Sequence, residues 1–134
     1  MKFLSSKKTL LLGVVLLPVF LLLVLAGTKL LSSSPEYTDS AVELTNNVQN
    51  ITIKAGLGYS PNRISAKASL PTQLKVDTSN TYDCTAFINI PKLGIKEYLP
   101  PTGSTYFNIP PQAAGEEIEG YCGGDTYKFI IRFS

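Results

Sequence analysis

From about Val48 to its end, the chain is interrupted by proline, glycine or asparagine too often for a long amphipathic helix to fit between the breaks. Between the breaks lie short apolar–polar alternations rich in Ile, Val, Thr, Tyr and Phe, the pattern of half-buried strands. Ile51, Ile53 and Ala55 alternate with Asn50, Thr52 and Lys54, and Leu74 and Val76 with Gln73, Lys75 and Asp77. Tyr127, Phe129, Ile131 and Phe133 alternate with Lys128 and Arg132 in the last run. Successive strand side chains point to opposite faces, so each run supplies one apolar face. Further strands are expected near Ile64 to Ala68, Thr85 to Ile90, Ile95 to Leu99, Thr105 to Ile109 and Glu117 to Cys122. Pro61-Asn62, Pro91, Pro100-Pro101, Pro110-Pro111 and Gly123-Gly124 all fall between these runs, where a missing amide or a positive φ is tolerated. The expected fold is all-β, a Greek-key β-sandwich over residues 49–134.

The start of the chain obeys a different rule. Leu10 to Ala26 is an unbroken apolar run of about 17 residues, at the short end of what crosses a bilayer and extendable through Leu30 and Leu31. Lys2, Lys7 and Lys8 precede it and only Lys29 follows closely, which predicts the N-terminus inside and the remainder outside. Residues 1–31 are therefore expected to form a single membrane-spanning anchor, and residues 32–48, which open Ser-Ser-Ser-Pro, a polar tether. A cleavable signal peptide ending near Gly27 is the competing reading, with Val24 and Ala26 as the small residues before the cut. The run exceeds the usual length of a signal core, which favours the anchor. No cysteine follows it to carry a lipid.

The chain has 12 Lys plus Arg and 10 Asp plus Glu; setting aside Lys2, Lys7 and Lys8 leaves 9 against 10. An exported part so near neutrality, with scattered lysines, has no basic patch for nucleic acid. Histidine is absent. Ser-His-Asp and Cys-His catalysis and histidine-based zinc or iron sites are excluded with it, and no enzymatic activity is expected. Glu116, Glu117 and Glu119 form an acidic cluster that reads first as a solvated turn, with calcium binding or acid catalysis as the minor alternative. Gly56, Gly58 and Gly123-Gly124 precede no helix, so nothing supports a phosphate cradle.

Two cysteines remain, Cys84 at the start of one expected strand and Cys122 at the end of another. Two thiols outside a membrane invite a disulfide. For residues about 38 positions apart the chain-entropy model gives such a bridge about 4 kcal/mol.

Three segments carry a resemblance. Gly58-Tyr-Ser-Pro-Asn-Arg-Ile followed by Leu70-Pro-Thr-Gln-Leu-Lys-Val, then Cys84-Thr with Ile90-Pro-Lys-Leu-Gly-Ile, then Gly120-Tyr-Cys-Gly-Gly-Asp-Thr-Tyr occur in that order. Together they resemble the cupredoxin-like domains of bacterial membrane proteins and copper-handling proteins. The resemblance implies that Cys84 and Cys122 meet at one end of the sandwich, each where the family places a metal ligand. The ligand loop is degenerate: its methionine positions hold Gly124 and Thr126, with Asp125 between them, and the only methionine is Met1. A blue-copper centre needs two imidazoles, which this chain lacks, whereas Cu(I) is soft and accepts two sulfurs.

The expected function is thus a membrane-anchored extracytoplasmic domain that binds Cu(I) through Cys84 and Cys122, with Asp125 as a further candidate ligand, and has no electron-transfer centre. The alternative is a structural or protein- or glycan-interaction module of the cell envelope with a Cys84–Cys122 disulfide. That module would present exposed aromatics, for which Tyr82, Tyr98, Tyr106 and Tyr121 are the candidates.

Overall fold

The computed structural model describes residues 13, 14, 16–22 and 34–134. The chain divides into two compact units, Met1–Pro35 and Glu36–Ser134. In the first, residues 13, 14 and 16–22 are helical, and the side chains of Val14, Leu17, Phe20 and Leu22 are exposed. Among the described residues no helix is long and apolar enough to cross a membrane. The expected span, Leu10 to Ala26, lies in part outside them.

The second unit carries ten strands: β1 (Val42–Thr45), β2 (Val48–Ala55), β3 (Tyr59–Ser60), β4 (Arg63–Ala66), β5 (Thr72–Thr78), β6 (Phe87–Ile90), β7 (Ile95–Tyr98), β8 (Gly103–Ile109), β9 (Glu117–Cys122) and β10 (Lys128–Phe133). They form two sheets, β1-β2-β5-β8 with β3 beside β2, and β4-β10-β9-β6-β7. β2 pairs with β5 and β4 with β10 in parallel, and the remaining pairs are antiparallel. Register aligns the apolar sets. Ile51 lies beside Leu74 and Leu74 beside Phe107 in one sheet, while Ile64, Ile131 and Ile118 form a row in the other. All six belong to one buried core, in the all-β sandwich expected from the alternation.

The folded unit begins earlier than the expected boundary. Within residues 32–48, read from sequence as a tether, β1 pairs with β2, placing Val42 opposite Ile51 and Thr45 opposite Val48. The turn between them is Asn46-Asn47, both at positive φ (52° and 62°), a combination that suits two-residue hairpins and that asparagine tolerates. Upstream, the Thr38 amide donates to the Arg63 carbonyl (3.0 Å) and the Ser65 amide to the Thr38 carbonyl (2.8 Å). The Tyr37 ring stacks under Arg132, 4.2 Å from guanidinium carbon to centroid, and its hydroxyl donates to Glu117 (3.3 Å). β1 is an edge strand whose side chains stay largely exposed, so it shows no buried alternation for periodicity to detect.

The second difference bears on the site. Thr85 to Ile90 was expected as one strand with Cys84 at its start, but Cys84–Ala86 forms a single 3-10 turn and β6 starts at Phe87. Asp83 sets this turn. Its carboxylate accepts from the Thr85 amide (3.2 Å) and the Thr85 hydroxyl (2.9 Å), a local alternative to ladder pairing.

Candidate metal centre

Cys84 and Cys122 converge. β9 sends Ile118, Gly120 and Cys122 to the interior in alternation, and Cys122 lies opposite Ile88 of β6. Cys84 sits on the turn that leads into β6, and its carbonyl accepts from the amides of Phe87 and Gly123 (3.1 Å for Gly123). Those bonds hold the Cys84 backbone across from the Cys122–Gly123 corner. The Cys84 thiol donates to the Cys122 sulfur, with 2.7 Å between the two Sγ atoms, and both cysteines are free.

The two thiols differ in surroundings. Cys122 is buried at 1% exposure and accepts from the Tyr127 amide (3.4 Å), whereas Cys84 is half-buried. Burial, then the Cys122 sulfur and the Asp83 carboxylate, push the Cys84 thiol up to about 11. Burial acts to raise Cys122 as well, but the Cys84 thiol and the amides of Tyr127, Gly124 and Thr126 outweigh it and hold Cys122 below the ordinary thiol value. Of the two sulfurs, the inner one is therefore the one whose charged form its surroundings favour.

The Asp83 carboxylate also accepts from the Leu57 amide (3.2 Å), fastening the β2–β3 turn to the segment that carries Cys84. Burial acts against its charge, but hydrogen bonds from Thr85 and Leu57 win and hold its carboxyl below the usual carboxylate value. A depressed folded pKa contributes stability that is present above the unfolded value and lost as pH falls through the folded one. Asp83→Ala is expected to cost about 1 kcal/mol, as for a lost helix cap, lowering Tm by about 5 °C. Thermal melts from pH 7 to pH 3 should show this difference shrinking below about pH 4, where an ordinary carboxylate takes up its proton.

Asp125 does not join the sulfurs. It is exposed, at φ 54° in the β9–β10 loop, and among the described residues no three His, Cys, Asp or Glu side chains stand close enough to hold a metal ion. The glutamate cluster resolves into separate ion pairs, Glu116 with Lys92, Glu117 with Arg132 and Glu119 with Lys128. Of the tyrosine candidates, Tyr82, Tyr98 and Tyr106 are exposed and Tyr121 is half-buried. Tyr82 and Tyr98 line an open depression with Asp83, Cys84, Phe87 and Gly123, so Cys84 is the thiol reached from outside.

The family model for the cupredoxin-like domain matches residues 17–125. The chain belongs to the cupredoxin-like domain family. Among solved structures, this cupredoxin-like domain is similar to the metal-binding domain of the Streptococcus pneumoniae D39 Cu(I)-exporting P-type ATPase CopA, solved with Cu(I). That match has 25% identity and a TM-score of 0.63, covering 69% of this chain and 92% of the other. A copper-binding protein solved by NMR in its apo form matches at 25% identity and a TM-score of 0.62, over 69% of this chain and 94% of that one. No curated protein sequence matches.

Two sulfurs without an imidazole or thioether suit a soft monovalent ion better than a harder divalent one. An ion entering between them must part them. Cys84, with an open depression at its side, has room to move, while Cys122 is fixed by the sheet and the core.

Proposed function

We propose that this cupredoxin-like domain binds Cu(I) through Cys84 and Cys122, without a blue-copper electron-transfer centre and without catalysing a reaction. The observation that carries the reading is the meeting of the two thiols at 2.7 Å, one buried and one reachable from solvent. Two structural relatives, a metal-binding domain solved with Cu(I) and a copper-binding protein, support the choice of ion. Bound Cu(I) would be held by the two thiolates, whose soft sulfurs suit a soft monovalent ion. Cys122 would give the fixed sulfur, Cys84 the sulfur that admits and releases the ion, and Asp83 the anchorage of the Cys84 turn.

The proposal includes location. The apolar run Leu10 to Ala26, with lysines before it, would hold the domain on the outer side of a cell membrane. Protease added to intact cells should then digest the domain while the N-terminal segment stays with the membrane. A soluble product beginning near Gly27 would replace the anchor with a signal peptide.

The test of function is a competition titration of the reduced, purified full chain against a Cu(I) chelator. Copper retained by the chain supports the reading, and loss of all copper to a weak chelator overturns it. The same titration has an expected pH dependence. Cys84 must give up its proton to bind, and that proton is held up to about pH 11, so apparent affinity should fall at least about tenfold per pH unit from 9 to 7. An affinity independent of pH over that range would mean that Cys84 is not a ligand.

The sulfur contact also favours a second reading in an oxidising compartment, a Cys84–Cys122 disulfide in a structural or interaction module. Free-thiol counting on chain purified without reductant separates the two. Two free thiols fit the copper site, and none fits the bridge.

A further inference from the structure

Tyr59 is buried, with 7% exposure, and its hydroxyl has no hydrogen-bond partner among the described residues. Such an orphaned donor is costly in a protein interior, and native structures keep few of them without a reason. Tyr59 lies at the end of the sandwich where the thiols meet. Its strand, β3, pairs with the last residues of β2, and the turn joining β2 to β3 is fastened to the Cys84 segment. The Leu57 amide donates to Asp83, and the Thr81 hydroxyl donates to the Ala55 carbonyl at 2.8 Å. The Tyr59 ring meets the Phe129 ring edge-on, 5.1 Å between centroids. Phe129 in turn covers Gly120, two residues before Cys122 on the same inward face of β9.

Charge arithmetic says what such a donor is for. In the reduced, metal-free chain the Cys122 sulfur accepts from the Cys84 thiol and from the Tyr127 amide, and the Tyr59 hydroxyl stays without a partner among the described residues. When Cu(I) enters, both thiol protons leave. Two thiolates and one Cu(I) carry a net charge of minus one, with Cys122 buried and the depression beside Cys84 lined by Asp83 and, among the described residues, by no Lys or Arg. A buried negative charge is stabilised by a neutral donor aimed at it.

We infer that Tyr59 is a positioning residue of the copper site, its hydroxyl held free in the metal-free chain and donating to the sulfur pair when that pair carries the extra negative charge. The inference rests on the proposed dithiolate site. The hydroxyl keeps its proton for this role, because burial, then Cys122 and Cys84, raise its pKa.

Tyr59→Phe removes the oxygen and keeps the ring. The two states should respond in opposite senses. The reduced, metal-free full chain should melt at an unchanged or higher temperature, since an unpartnered buried hydroxyl is gone. Cu(I) affinity should fall about tenfold or more, the size of a hydrogen bond to a charged group. The tyrosine Fermi doublet in ultraviolet resonance Raman should shift on loading in the wild type, and that shift should be missing from the variant. Ag(I), a soft ion that an accessible thiol pair takes irrespective of its biological cargo, serves as the second probe. A wild type that takes Ag(I) but not Cu(I), with Tyr59→Phe weakening Ag(I), would remove the proposed function and leave the role of Tyr59 standing. Equal affinity in wild type and variant for both ions, or a lower melting temperature in the metal-free variant, would overturn it, the latter by showing that the hydroxyl supports packing.

Discussion

Cys122→Ser is expected to abolish Cu(I) retention, and Cys84→Ser to do the same, with at least about a 1,000-fold loss of affinity in each case. That exceeds the about 10–100-fold typical of losing an outer-sphere partner, because a two-coordinate site that loses one sulfur keeps only a single thiolate, and a hydroxyl is a poor ligand for a soft ion. The two variants should differ in stability. Serine at position 122 places a hydroxyl in a buried site whose sulfur now accepts from the Tyr127 amide, whereas position 84 opens to a depression where solvent can satisfy it. Cu(I) competition titration and thermal melts of both variants check the two statements together. Retention of tight binding by either one would mean that a single thiolate suffices and that the sulfur contact is not the site.

Gly120→Ala is expected to be the most damaging small substitution in the fold. A Cβ there would run into the ring of Phe129, which is fully buried and paired with Gly120 across β9 and β10. Neither side can give easily, since the ring also meets Tyr59 and the backbone belongs to a central strand. Overpacking of this kind costs about 3 kcal/mol or more, and Tm should drop by about 12 °C or more in a domain of this size. The double variant with Phe129→Leu should recover part of the loss, because the smaller side chain leaves room for the methyl group. A Gly120→Ala chain that melts like the wild type would show that the ring can move aside, and that the packing beside Cys122 is loose.

Much of this arrangement was legible in the sequence. Strict alternation at Ile51–Ile53–Ala55, Leu74–Val76 and Phe129–Ile131–Phe133 gives the inner faces of both sheets, because one buried face and a period of two leave few other solutions. The separation of Cys84 from Cys122 says nothing about their meeting; the resemblance implied it, and the pairing of β6 with β9 produces it. What periodicity could not show has physical causes. β1 exposes most of its side chains, so nothing alternates, and β3 is only two residues long. The turn at Cys84 follows from Asp83 and Thr85, whose Asp-x-Thr spacing is a local capping signal available in the sequence but masked by the apolar residues after it. Asp125 looked like a ligand by its place in the loop, yet loop position does not fix where a carboxylate goes. Tyr59 carried no signal, since a missing hydrogen-bond partner is a property of packing and not of spacing.

The central claim, two sulfurs and no other strong donor around Cu(I), is tested most directly by X-ray absorption on the reduced full chain loaded with Cu(I). The account predicts a first coordination shell of two sulfur scatterers, from Cys84 and Cys122, with no nitrogen or oxygen contribution, and its disappearance in either serine variant. A shell dominated by nitrogen or oxygen, or a two-sulfur shell that survives replacement of Cys84, would contradict it.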